Sequence, residues 1–289
     1  MNGYFYGWYF RCQSEEKTVA IIPAVHLSEQ KKSCSIQVIT EEGAWNKEFP
    51  IEQFRKRKDK LALRIGDQIF SQRGLFLNLE ENEIKIKGRL VFGKFTKPKY
   101  DIMGPFRYIP GMECRHAVYS MCHSVNGTLF INGKKFYFKN AMGYMEGDSG
   151  ISFPKKYAWT QHFFEEGSLV LAAAQIPWAG FCFMGTIGIV WWRGKEYRFA
   201  TYLGAYVIKM ERGEIWIKQR NYQLRVKLLE KDMRLLQAPY KGKMIRKIGE
   251  NPSCRVKYCM MNKDKVLFQF ETDRAAFEYE VFENYPFYQ

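Results

Sequence analysis

The chain has 289 residues with 45 basic and 30 acidic side chains, a formal charge of +15, and is 46% hydrophobic and 17% aromatic. This apolar content supports a packed core and excludes a disordered chain, and the length suits one large β domain or two ordinary ones. The charge predicts attraction to something anionic, but the densest basic run, Arg55-Lys56-Arg57-Lys58, is short and holds no aromatic to stack on a base, so nucleic acid is not an expected partner.

Seven cysteines, an odd number with no CxxC spacing, fit the reduced thiols of a cytoplasmic protein. The opening MNGYFYGWYFRC has neither the basic start nor the apolar stretch of a secretion signal. The longest apolar run, Ile187 to Trp192, is too short to span a bilayer. The four histidines form no known ligand spacing, so no metal is expected. The expectation is a cytoplasmic protein whose basic surface lets it visit anionic membranes.

Along the chain, alternation dominates. Asn2 to Arg11 alternates aromatics, with Tyr4, Tyr6, Trp8 and Phe10 on one register and Phe5 and Tyr9 on the other. This reads as a core edge strand or as an aromatic wall for a ring-bearing or prenyl ligand, with Trp8 in that wall. Pro50 to Lys56 reads as one or two helical turns with proline first. Leu61–Ile65, Gly74–Leu79 and Glu83–Leu90 read as strands. Thr128–Ile131 and Lys135–Phe138 flank Asn132-Gly133, which fits a type I′ hairpin. Glu196 to Lys218 and Arg255 to Phe270 continue the meander. A faint echo between Phe76–Leu90 and Gln223–Met244 suggests two related domains, 1–110 and 111–289. The predicted class is all-β: two antiparallel barrel or sandwich domains with few short helices.

Two stretches carry candidate chemistry. In GYMEGDSGISFPKKYAWTQ, extended chain puts Tyr144, Glu146 and Asp148 on one face, and Tyr157, Trp159 and Gln161 on one face beyond the turn. If these faces meet in a barrel mouth, a carboxyl against aromatic walls has its charged form disfavoured and can act as an acid. The plainer reading has Glu146 and Asp148 capping a turn and pairing with Lys155 and Lys156. The second stretch, Glu113 to Ser124, holds Cys114, His116, Cys122 and His123. A Cys/His nucleophile there lacks an identifiable oxyanion turn, and a histidine, His116 or His123, lining the cavity of Glu146 is the preferred reading.

At these residues the chain resembles the tocopherol cyclase family. GWYFR (Gly7–Arg11), DIMGPFRYIPGMECRHAVYSMCHS (Asp101–Ser124), GKEYRFATYLGA (Gly194–Ala205) and APYKGKM (Ala238–Met244) look like family segments. The run from Tyr144 is similar to the signature Y-x-E-x-x-W-G-x-x-F-P-x-x-x-x-W-x-Q, keeping Tyr144, Glu146, Gly150, Phe153, Pro154, Trp159 and Gln161. It departs from the family at Ser149 for tryptophan, at Gly147 for lysine, and at His162-Phe163-Phe164 where a polar asparagine is usual. The resemblance implies paired lipocalin-like barrels around an apolar cavity, kinship with carotenoid hydratases, and protonation of a prenyl double bond without a cofactor. Two readings follow. One is an acid-catalysed cyclase or hydratase of a prenyl lipid or quinol, with Glu146 or Asp148 as proton donor. The other is a carrier or sensor of such a ligand without turnover.

Overall fold

A computed structural model describes residues 3–81, 83–178, 180–211, 213–230 and 233–280. It is almost entirely strand, with three short 3-10 turns and no α-helix among the described residues. No helix there is long and apolar enough to cross a membrane.

The first sheet has eleven strands: β1 (Tyr4–Gln13), β2 (Thr18–Leu27), β3 (Lys32–Thr40), β4 (Ala44–Pro50), β5 (Phe54–Lys56), β6 (Ala62–Ile65), β7 (Gln68–Ser71), β8 (Gly74–Glu80), β9 (Lys85–Phe92), β10 (Cys114–Ile131) and β11 (Lys134–Gly150). Their spatial order is β4-β3-β2-β1-β11-β10-β9-β8-β7-β6-β5, so the first strand inserts beside the last. The two edge strands, β4 and β5, are consecutive and joined by the 3-10 turn Ile51–Gln53. The helix expected over Pro50 to Lys56 is therefore that single turn followed by a strand. Gln53 passes its carbonyl to the Gly66 amide, and residues 54–56 pair with β6 instead of winding on.

One face of this sheet encloses a core drawn from nearly every strand, including Phe10, Ile21, Ile36, Phe70, Leu77, Leu90, Leu129, Phe138 and Met145. The hairpin predicted at Asn132-Gly133 forms between β10 and β11, with both residues at positive φ (48° and 80°) as a type I′ turn requires. Gly143 of β11 lies under His123, and a Cβ there would run into the His123 ring and Val125 Cγ2. Gly143→Ala should cost about 1–3 kcal/mol by overpacking, read as a lower urea midpoint with an unchanged m-value.

The second sheet comprises β12 (Tyr157–Phe164), β13 (Gly167–Trp178), β14 (Phe181–Trp192), β15 (Lys195–Ala200), β16 (Tyr206–Glu211), β17 (Glu214–Gln219), β18 (Tyr222–Leu228), β19 (Arg234–Tyr240), β20 (Lys243–Asn262) and β21 (Lys265–Glu280). The order is β15-β14-β13-β12-β21-β20-β18-β17-β16, with β19 on β20. Its core includes Leu169, Val190, Phe199, Ile217, Leu224, Tyr258 and Phe277. The chain forms two compact units, 1–101 with 112–152 and 236–246, and 102–111 with 153–235 and 247–289. The all-β class with two large antiparallel sheets, one nearly closed into a barrel, is as the sequence predicted.

Candidate functional site

The site is built on β1, β10 and β11 in the first unit. Glu146 and Asp148 lie inside strand β11, not in a turn. Register sets their neighbours: β10 pairs His116 with Asp148 and Val118 with Glu146, while β1 pairs Gly7 with Asp148, Tyr9 with Glu146 and Arg11 with Tyr144. Directly paired residues point to the same face. Tyr144, Glu146, Asp148 and His116 therefore share one face with Gly7, Tyr9 and Arg11.

On that face His116 stands between the carboxylates. Its Nδ1 is 2.9 Å from Asp148 Oδ1, and its Nε2 is 3.3 Å from Glu146 Oε2, an ion-pair contact outside hydrogen-bond geometry. Tyr144 donates its hydroxyl to the same Glu146 oxygen at 2.5 Å, and Cys114 Sγ is 3.7 Å from Asp148 Oδ1. Tyr144 is fully buried, Glu146 is 5% exposed, and the His116 side chain is 10% exposed. Burial alone pulls the His116 pKa down. The charges of Glu146 and Asp148 and the Asp148 hydrogen bond outweigh burial and raise it to about 9, so the ring is an imidazolium at neutral pH. Burial, then the Glu146 charge, pushes the Tyr144 phenol well above its usual value, which keeps it a donor.

Trp8 and His123 are on the other face of the same sheet, and Trp159 and Gln161 are on the second sheet. Trp8 pairs with Gly147, so it faces the opposite side of the sheet and is buried in the core, 6.2 Å from the Phe54 ring. His123 pairs with Gly143 on that core face too, held by Ser120 at 3.0 Å and ringed by Phe92 and Phe95. Burial lowers its pKa to about 4, so it is neutral. Trp159 and Gln161 are buried on β12 of the second sheet. Sequence reasoning missed Tyr9, Gly7 and the fully buried Arg11 as neighbours of the carboxylates. Their alternation was visible, but the pairing of β1 with β11 spans some 140 residues and leaves no local trace.

His116, Glu146 and Asp148 also offer one donor atom each within 4.8 Å of one another, a spacing a small divalent cation accepts. In that use His116 Nε2 and Glu146 would be the ligands, and Asp148 would orient the ring through Nδ1. No sequence spacing announces this set, because strand register, not a local motif, assembles it.

No family model matches the chain, and no curated protein matches it in sequence. Solved structures do match in shape. An AttH protein of Nitrosomonas europaea superposes with TM-score 0.54 at 10% identity, over 97% of this chain and 92% of that one. Kievitone hydratase of Nectria haematococca gives 0.58 at 8% identity, over 97% and 90%. CghA gives 0.60 at 8% identity, over 98% and 90%. What the chain shares with them is the fold. It is a lipocalin-like β architecture, matched along nearly its whole length.

Proposed function

We propose that this protein binds an apolar, prenyl-bearing ligand and adds an O–H group across its double bond. The O–H is either the ligand's own phenol, closing a ring as the tocopherol cyclase resemblance suggests, or water, giving a hydrated product. The observation that carries the reading is His116 clamped between Glu146 and Asp148 in a buried setting, with Tyr144 on Glu146. Both reactions break one O–H bond and the π bond of the alkene and form one C–O and one C–H bond, with no net change of oxidation state. A proton leaves oxygen as a proton arrives at carbon, so the site needs an acceptor and a donor together.

Glu146 serves as the group facing the reacting atoms, and His116, oriented by Asp148, stores the balancing proton. A proton resting on an imidazolium with a pKa near 9 is a weak acid towards an alkene. Carbon is therefore protonated as the oxygen nucleophile is deprotonated, and the two limbs run together. Tyr9 and Phe5, buried on the same face, offer aromatic surfaces to developing positive charge. No cofactor is required by this chemistry. A hydratase shares the fold, which agrees with the class of reaction. The +15 charge favours collection of such a ligand from an anionic membrane surface.

The test is incubation with geranylhydroquinone and mass analysis of the product. Cyclisation leaves the mass unchanged and removes the double bond, whereas hydration adds one water. Stoichiometric binding with no product would replace this reading with that of a carrier.

A further inference from the structure

Among the described residues, neither backbone conformation nor a close contact requires glycine at position 7. Among the 23 glycines, each of the others either has a positive φ or would place a Cβ within 3.1 Å of another atom. Gly7 does neither: its φ is outside the positive range, and a Cβ there would meet nothing within 4 Å. Glycine inside a strand sacrifices stability, and its usual justification is close approach of a ligand or another backbone. Among the described residues, nothing comes within 4 Å of a Cβ at this position.

The space lies beside the carboxylates. Gly7 is paired with Asp148 on one side and Ala24 on the other, and Ala24 with Ser35. The resulting floor is flat and low. Phe5 and Tyr9 stand two residues to either side on the same face, roughly 13 Å apart along the strand. A buried imidazole nitrogen without a hydrogen-bond partner belongs to this face: Nδ1 of His26, which pairs with Phe5 and is 5% exposed, its Nε2 bonded to Ser35 Oγ at 2.9 Å. A buried polar nitrogen left unsatisfied points to a missing partner.

We propose that the space over Gly7 is the subsite for the oxygen-bearing end of the ligand, a flat group whose hydroxyl or carbonyl meets His26 Nδ1, with the hydrocarbon tail lying away from it. Gly7 is then a specificity-determining position, because any side chain there occupies the ligand's place. This assignment rests on the function proposed above and fixes the direction in which the ligand lies.

The experiment compares wild type, Gly7→Ala and Gly7→Leu for binding of geranylhydroquinone and of geranylbenzene, which lacks the ring oxygens, with thermal melts to confirm folding. Wild type should prefer the hydroquinone by about ten- to a hundredfold, the discrimination expected where buried polar groups would be left unpaired. Gly7→Ala should narrow that preference, and Gly7→Leu should erase it to within about threefold. Gly7→Ala should melt no lower than wild type, since its Cβ meets nothing within 4 Å, and a cooperative melt of Gly7→Leu confirms that it folds. A Gly7→Leu protein that keeps the preference overturns the subsite while leaving the proposed function standing. So does a wild type that binds both probes equally. A wild type that binds neither probe overturns the proposed function, and the subsite falls with it.

Discussion

Replacing Glu146 with glutamine is expected to cut turnover of geranylhydroquinone by about 10²- to 10⁴-fold while leaving its binding within a few-fold of wild type. The two side chains are nearly the same size, and the amide oxygen can still accept the Tyr144 hydroxyl that Glu146 holds at 2.5 Å. What disappears is the capacity to carry a proton and the charge beside His116 Nε2. Without that charge the His116 pKa falls, because the Glu146 charge is one of those that lift it against burial. A loss in turnover with binding intact is the signature of a group that acts in the transition state. Asp148→Asn should be milder, since Asp148 holds the ring at Nδ1 and not at the nitrogen facing Glu146. Unchanged turnover in Glu146→Gln would remove Glu146 from the chemistry and leave the cluster a structural ion pair.

Stability should pass through a maximum near pH 6.5, with losses on both sides, and His116 should own the alkaline limb. Its pKa is about 9 in the folded protein against 6.5 unfolded. The stabilisation is therefore complete below pH 6.5 and is lost as pH rises through 9. A shift of that size corresponds to about 3 kcal/mol, shared among His116, Glu146 and Asp148 as one coupled unit. His26 and His123 act in the opposite sense. Burial lowers both to about 4, so the unfolded chain takes up protons first. Their contribution is complete above pH 6.5 and drains away as pH falls through 4. Urea midpoints measured from pH 4 to pH 9 should trace this dome. His116→Gln should flatten the alkaline side and leave the acid side in place. An alkaline limb that survives the substitution would show that the imidazolium is not what the fold is holding.

The β class, the Asn132-Gly133 hairpin and the common face of Tyr144, Glu146 and Asp148 are legible in local sequence. All three rest on short-range rules: alternation has a period of two, and a type I′ turn needs residues that tolerate positive φ. Alternation also separates His116 from His123, which are seven apart, and the two irregularities in β10 between Val118 and His123 do not undo that separation. The packed sheet settled which histidine joins the carboxylates. It did so by pairing His116 with Asp148 across 32 residues, and by setting β1 on the other flank of β11 so that Tyr9 and Gly7 face the cluster and Trp8 faces the core. The physical reason is that a strand pattern specifies two faces but not its neighbour. Neighbour and register follow from burying the apolar set of all eleven strands together. The short turn after Pro50 has the same origin: local propensity favoured a helix, and pairing with β6 claimed the backbone instead.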